Sequence, residues 1–157
     1  GNSTGTNTDT SGSLLALSAT SAAPSGYSFI QSLDKQFSWQ KLADRNYEST
    51  GGALEGLNQK LYFIGGIDSL GSPQPSEKFD PASNSWSVIQ SPSFSRMNSV
   101  TAASDDKVYL LPGKDPTGSF RDLEIYDPEK NSWSFGTELP DNYVILEVFS
   151  AVMLDGK

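Results

Sequence analysis

A tandem repeat of 47 residues constrains the fold of this chain more than any other feature. Trp39, Trp86 and Trp133 lie 47 residues apart, and the sequence around the last two is nearly the same. Residues 79–87 (Phe-Asp-Pro-Ala-Ser-Asn-Ser-Trp-Ser) return as residues 126–134 (Tyr-Asp-Pro-Glu-Lys-Asn-Ser-Trp-Ser). Two blocks that match without a gap are copies of one supersecondary unit. A unit of this length cannot bury its apolar face alone, so neighbouring copies must cover one another.

Each copy reads as four short strands, called a to d here, which are separated by turn residues. No segment shows sustained helical spacing, so the pattern predicts an all-β fold. The strands predicted in the two copies are 53–57 and 100–104 for a, 60–65 and 107–111 for b, 77–80 and 124–127 for the ends of c, and starts at Ser85 and Ser132 for d. An earlier set of strands is predicted at 14–20, 29–34 and 38–42, and a later one at 149–154.

Two kinds of turn support this division. Asn58-Gln59 and Asp105-Asp106 each precede a lysine and fill the a–b connection, where residues that tolerate left-handed backbone are favoured. The c–d connection reads Asp-Pro-x-x-Asn-Ser-Trp in both copies. Proline presets the turn, the aspartate side chain can cap it, and the asparagine suits a left-handed position before strand d.

These residues together resemble a known repeat. An apolar run ending in Gly65-Gly66, a variable loop, an aromatic-Asp-Pro turn and a Trp six residues after the Asp resemble the kelch repeat of β-propellers. The resemblance covers residues 52–139 well and residues 29–42 and 149–157 in part. It implies kelch-type β-propeller blades, each of them a four-stranded antiparallel sheet.

The repeat divides the chain into five predicted segments. Residues 1–13 form a Gly/Ser/Thr/Asn-rich leader that is too polar to fold, and residues 14–42 form a partial, degenerate blade. Residues 43–90 and 91–138 are the two kelch blades, and residues 139–157 begin a further blade. This arrangement predicts an incomplete propeller or a fragment whose remaining blades lie elsewhere. The alternative is a homodimer in which two copies complete a six-bladed ring.

Composition narrows the functions that remain open. The chain has no cysteine and no histidine, which removes thiolate chemistry and the commonest general base and metal ligand. Carboxylates, Lys and Tyr remain for acid–base chemistry and carboxylates for an oxygen-ligand Ca²⁺ site, but no EF-hand-like series of acidic residues is present, and we predict no catalytic residue, no metal site and no cofactor within the chain. Its net charge of -8 argues against nucleic acid as a partner, and no apolar run is long enough for a membrane span.

The segments that differ between the copies are expected to carry function, because loops on a rigid frame are the usual carriers of binding residues. They are the b–c segments 67–76 and 114–121 and the d–a segments 43–51, 91–99 and 138–146. The resemblance implies that these loops emerge on one face and that arginines there contact a partner. The predicted ligand-binding residues are Arg45, Tyr47, Arg96, Asn98, Ser119 and Arg121. On this interpretation, Arg96→Ala and Arg121→Ala weaken partner capture and leave the melting temperature nearly unchanged.

Three functions are compatible with the sequence. The first is a noncatalytic module that binds a protein or peptide through its b–c and d–a loops, and an arginine-bearing face would favour an acidic motif. The second is part of a carbohydrate-active enzyme, similar to galactose oxidase or to sugar-acid epimerases, whose catalytic residues lie outside this chain. The third is a glycan-binding exported protein, since the polar leader and acidic composition are typical of an extracytoplasmic or secreted location.

Overall fold

Within the part of the chain that the structure describes, all regular structure is β-strand. The computed structural model describes residues 14–19, 28–33, 39–94, 96–115, 118–120, 122–138 and 151–153. The predicted leader therefore lies outside the described residues. The strands are β1 (Leu14–Ala19), β2 (Ser28–Leu33), β3 (Trp39–Lys41), β4 (Ala53–Leu57), β5 (Lys60–Ile64), β6 (Glu77–Asp80), β7 (Ser85–Val88), β8 (Thr101–Ser104), β9 (Lys107–Leu110), β10 (Gly113–Asp115), β11 (Gly118–Phe120), β12 (Asp122–Asp127) and β13 (Ser132–Glu138).

The strands form sheets with the simplest antiparallel connectivity. Blade 1 has the order β1-β2-β3, blade 2 the order β4-β5-β6-β7, and blade 3 the order β8-β9-β12-β13. All pairs within these sheets are antiparallel. Blades 2 and 3 are thus the four-stranded antiparallel sheets that the repeat predicts, and their strands lie within about two residues of the predicted positions.

Two features differ from the sequence prediction. The b–c segment of blade 3, read as a loop, contains the antiparallel hairpin β10–β11, in which Lys114 pairs with Ser119. The sequence Asp-Pro-Thr-Gly at 115–118 is rich in turn-favouring residue types, which agrees with two short strands that pair on either side of it. The strand predicted at 149–154 is not present in its described part, residues 151–153.

The turns adopt the backbone that their residue types favour. Both residues of each a–b turn have positive φ, 50° and 60° in Asn58-Gln59 and again in Asp105-Asp106. In the c–d turns, Asp80 Oδ1 accepts the Ala82 N–H at 3.0 Å and Asp127 Oδ1 accepts the Glu129 N–H at 3.0 Å. The turn chemistry predicted from the sequence is therefore confirmed in both copies.

Asp127 also binds two ammonium groups. Lys130 Nζ lies 3.1 Å and Lys107 Nζ 3.3 Å from Asp127 Oδ2. The hydrogen bond from Lys130, with further help from the turn backbone and Lys107, lowers the pKa of Asp127 to about 2.

The core divides by strand alternation into one cluster on each face of blade 2. One face packs Leu61 and Phe63 with Phe79 and Trp86. The other face packs against blade 3. The cluster between the two blades consists of Tyr62, Ile64, Ile89, Val108, Leu110 and Tyr126. The Tyr62 and Tyr126 rings lie 5.9 Å apart across this junction. Successive side chains of one strand point to opposite faces, so β5 contributes to both clusters and joins its neighbours on either side.

Trp86 and Trp133 tie the outer strands of blades 2 and 3 to the chain segments before those blades. Trp86 Nε1 donates to Ala43 O at 3.0 Å, and Trp133 Nε1 donates to Gln90 O at 2.8 Å. Donors and acceptors are both 47 residues apart, so the two bonds are copies of one contact. These tryptophans serve packing and anchoring, as one Trp per repeat at constant phase indicates.

Candidate functional site: the loop edge of blades 2 and 3

The b–c and d–a segments lie at the same edge of each sheet. In an antiparallel sheet of order a-b-c-d, strands b and d end where strands c and a begin. For blade 2, this edge carries residues 43–51 and 67–76, and residues 91–99 lead from it into blade 3. We call these three segments the loop edge.

Backbone hydrogen bonds join the three segments of the loop edge to one another. Thr50 and Ile67 exchange a pair of bonds at 2.8 and 3.0 Å, which links the d–a segment to the b–c segment of blade 2. The Asn98 N–H donates to Gly51 O at 2.9 Å, and the Gly66 N–H donates to Arg96 O at 3.4 Å. Each segment is therefore held by its neighbours rather than only by its own blade.

The Gly65-Gly66 pair makes this close approach possible. Both residues have positive φ, 73° and 88°. A Cβ atom would lie 3.0 Å from Arg96 O at Gly65 and 2.9 Å from Thr50 O at Gly66. The double glycine is thus required both by its backbone conformation and by the neighbouring loops.

A buried ion pair lies beneath the first segment. Arg45 Nε donates to Glu77 Oε2 at 3.0 Å, and the two side chains are 1% and 0% exposed. Glu77 Oε1 also accepts the backbone N–H of Asn46 at 3.1 Å and its side-chain amide at 2.7 Å. The Arg45 guanidinium lies 3.4 Å from the centroid of the Phe63 ring, a favourable cation–π position.

An equivalent pair lies beneath the third segment. Arg96 Nη2 donates to Glu124 Oε1 at 2.7 Å, and both side chains are 1% exposed. Glu124 Oε2 accepts the Ser93 N–H at 2.8 Å. Arg96 Nη1 donates to the carbonyls of Leu110 and Leu111 at 3.4 and 3.2 Å.

The glutamates of the two pairs occupy equivalent positions in the repeat, but the arginines do not. Glu77 and Glu124 are 47 residues apart, as are the Asn46 and Ser93 N–H groups that they bind, whereas Arg45 and Arg96 are 51 apart. Burial lowers the pKa of both guanidinium groups, and the partner glutamates oppose that shift. Arginine stays charged despite such shifts, so each pair is ionic.

The structure separates the predicted ligand-binding residues into three groups. Arg45 and Arg96 are 8% and 1% exposed, so the ligand contact predicted for them receives no support from their positions. Tyr47 is 38% exposed and Asn98 is exposed, with Asn98 at a φ of 53°. Ser119 lies in β11, away from the three segments in sequence, and Arg121 lies outside the described residues.

Sequence reasoning missed the two glutamates that organise this edge. Glu77 and Glu124 stand at equivalent places in strand c, where an acidic residue is unusual beside buried apolar ones. An acidic residue repeated in phase within a buried strand is the signal that would have found them, because a buried charge needs a partner.

The b–c segment of blade 2 has a further ordered feature. Asp68 Oδ1 accepts the N–H groups of Leu70 and Ser72 at 2.9 and 2.8 Å, and Asp68 Oδ2 accepts the Gln74 side-chain amide at 3.0 Å. Leu70 stands at the tip of this turn and is 89% exposed. The turn therefore holds a leucine side chain out in solvent.

The inner strands of blades 2 and 3 border a pocket of about 400 Å³ that also touches Ala151. Glu55 lines it, and burial raises the pKa of its carboxyl group. Thr101, on the opposite wall, donates its hydroxyl to Leu54 O at 3.4 Å. The pocket lies where the a strands of successive blades meet.

The described residues contain neither a metal-binding cluster nor a membrane-spanning helix. Among them, no group of three or more Asp or Glu side chains is placed to hold a metal ion. No helix long and apolar enough to cross a membrane occurs in the same residues.

Comparisons with known proteins agree with the blade topology. A family model described as "Kelch motif" matches residues 95–140, which include Arg96, Glu124 and Trp133. A search of curated proteins gives no significant match. Among solved structures, the chain is similar to one titled "Structure of YjhT", with a TM-score of 0.61 and 20% sequence identity.

That similarity covers 73% of this chain and 46% of the other, so the chain spans about half the length of the structure it matches. At 20% identity the likeness concerns the fold alone. The repeated blade sequence, the two four-stranded sheets and the motif matched at residues 95–140 lead to one conclusion: the chain contains a kelch motif and folds into four-stranded β-propeller blades.

Proposed function

We propose that this kelch-repeat protein is a noncatalytic binding module that takes a protein or peptide on its b–c and d–a loops. The observation that carries the proposal is the set of hydrogen bonds joining Thr50 to Ile67, Gly66 to Arg96 and Asn98 to Gly51. Loops fixed in this way lose little conformational entropy when they bind, which favours affinity.

The buried ion pairs support the same function from within. Arg45 and Arg96 are positioning residues in this proposal, because each binds a glutamate that also holds the backbone of the loop edge. Contact with the partner falls to exposed residues such as Tyr47 and Asn98. Ser119 and Arg121, in the second b–c segment, remain proposed contacts.

Selection of short random peptides displayed on phage tests the proposal. Peptides selected on the unmodified protein are expected to bind Tyr47→Ala and Asn98→Gly variants at least about tenfold more weakly, a loss of about 1.4 kcal/mol. Glycine is chosen at position 98 because it accepts the positive φ found there.

Asp105→Asn is the matched control. Asp105 is exposed on an a–b turn at the opposite edge of blade 3, and asparagine tolerates its left-handed backbone. Equal losses in the control and the loop variants, or no selectable peptide at all, would refute a binding face on these loops.

A further inference from the structure

Two properties of the loop edge bear on the chemistry of its partner. Arg45 and Arg96 are the only Lys or Arg residues in segments 43–51, 67–76 and 91–99, and both are buried in ion pairs. The acidic residues of the same segments are Asp44, Glu48 and Asp68, of which Glu48 is exposed. The solvent-facing charge of these segments is therefore negative.

The same segments expose large apolar side chains. Tyr47, Leu70 and Phe94 are 38%, 89% and 38% exposed, and each belongs to a different segment. Tyr47 and Phe94 are 47 residues apart, so the repeat places an aromatic residue at the same point of two d–a loops. Three such side chains on loops whose backbones are hydrogen-bonded to one another form a candidate interaction surface.

Leu70 is the most exposed of the three and stands on a turn that several hydrogen bonds hold in place. The Asp68 carboxylate accepts the N–H groups of Leu70 and Ser72, and the Asp68 N–H donates to Ser72 O at 2.9 Å. The Thr50–Ile67 bridge then fixes this turn to the d–a loop that carries Tyr47 and Glu48. A leucine held in this way can be buried by a partner at little entropic cost.

We propose that the loop edge of blade 2 binds a basic peptide segment with an aliphatic or aromatic anchor that packs on Leu70. Lys or Arg residues beside the anchor would face Glu48 and the negative field of a chain with a net charge of -8. This inference rests on the proposed binding function and names its partner chemistry. It differs from the acidic motif that an arginine-bearing face would favour.

The phage-displayed peptides again supply the probe, and their composition is the first readout. Peptides selected on the unmodified protein are expected to be enriched in Lys or Arg together with Leu, Ile, Phe or Trp. Enrichment in Asp and Glu would overturn the inference while leaving the binding function standing. Failure to select any peptide would refute both.

Variants of the protein, measured with a selected synthetic peptide, give the second readout. Leu70→Ser is expected to weaken binding at least about tenfold, since burying a leucine side chain is worth that much or more. Val88→Ser is the control, because Val88 is 53% exposed on β7 and lies outside the loop edge. If Leu70→Ser binds the peptide with unchanged affinity while Tyr47→Ala binds it more weakly, the role of Leu70 is refuted and the binding function is not.

Glu48→Gln tests the electrostatic contribution of Glu48 to peptide binding. It is expected to slow association and to flatten the fall of affinity with added salt, because exposed charges act mainly through steering and are screened by salt. An unchanged salt dependence in Glu48→Gln would remove the charge complementarity from the proposal.

Discussion

Arg96→Ala is expected to lower the free energy of unfolding by about 3–5 kcal/mol, because it leaves the Glu124 carboxylate buried without its charge partner. The pair is joined at 2.7 Å and both side chains are 1% exposed, so solvent cannot compensate for the loss. The carbonyls of Leu110 and Leu111 lose a donor at the same time. A typical domain is stable by about 5–15 kcal/mol, so a large fraction of the stability is at stake.

Urea unfolding followed by tryptophan fluorescence measures this change. Glu48→Ala is the control, since it removes an exposed charge from the first segment and is expected to change stability by less than about 0.5 kcal/mol. A loss below about 1 kcal/mol in Arg96→Ala, the range of exposed ion pairs, would refute the structural role of the pair.

The double variant Arg96→Met/Glu124→Leu tests the reasoning behind that magnitude. If the cost of Arg96→Ala comes from an uncompensated buried charge, replacing both partners with apolar side chains should recover much of it. A double variant less stable than Arg96→Ala would show that hydrogen bonds to the backbone, rather than the orphaned charge, dominate the loss.

Three further changes follow from single contacts. Gly66→Ala is expected to lower the free energy of unfolding by at least about 2 kcal/mol, and Gly71→Ala by only about 1 kcal/mol. Both glycines have positive φ, but of the two only Gly66 faces a carbonyl oxygen within 3 Å. Equal losses in urea unfolding would contradict this. Phe79→Ala, at a fully buried site, should lower the free energy of unfolding by about 3–5 kcal/mol, and Val88→Ala by less than about 0.5 kcal/mol. Similar melting temperatures of the two variants in calorimetry would refute the core assignment. The pKa of Asp127 is about 2 in the folded protein, against an ordinary value of 3.8. Its ion pairs therefore stabilise the fold above pH 3.8, and this stabilisation is lost as the pH falls toward 2. Asp127→Asn should flatten the pH dependence of the free energy of unfolding over that window, and an unchanged acid profile would contradict this.

Much of the fold follows from local sequence signals. The a–b turns at Asn58-Gln59 and Asp105-Asp106 lie where the left-handed residues predict them, and the Asp-Pro turns are capped as expected. Strand alternation in β5 places Tyr62 and Phe63 on opposite faces, as a sheet covered on both sides requires. These features depend on residues close together in the chain, which is why the repeat reveals them.

The site depends on contacts that local patterns do not show. Arg45 lies in a polar loop and looks exposed, but its partner Glu77 is 32 residues later, at the start of another strand. Arg96 reaches Glu124 across 28 residues from a different place in its loop. The side-chain environment is therefore set by how distant segments meet, and from it we expect a loss of stability in Arg96→Ala where the sequence predicts almost none.

Nuclear Overhauser spectroscopy tests the stacking of successive blades most directly. The packing of blade 2 against blade 3 places the centroids of the Tyr62 and Tyr126 rings 5.9 Å apart. The Phe79 and Trp86 rings, whose centroids lie 5.2 Å apart within blade 2, provide an internal reference. Stacked blades predict cross-peaks for both ring pairs in the folded protein. A Phe79–Trp86 cross-peak without one between Tyr62 and Tyr126 would mean that the sheets form but do not pack together, which would contradict the fold and the loop edge built on it.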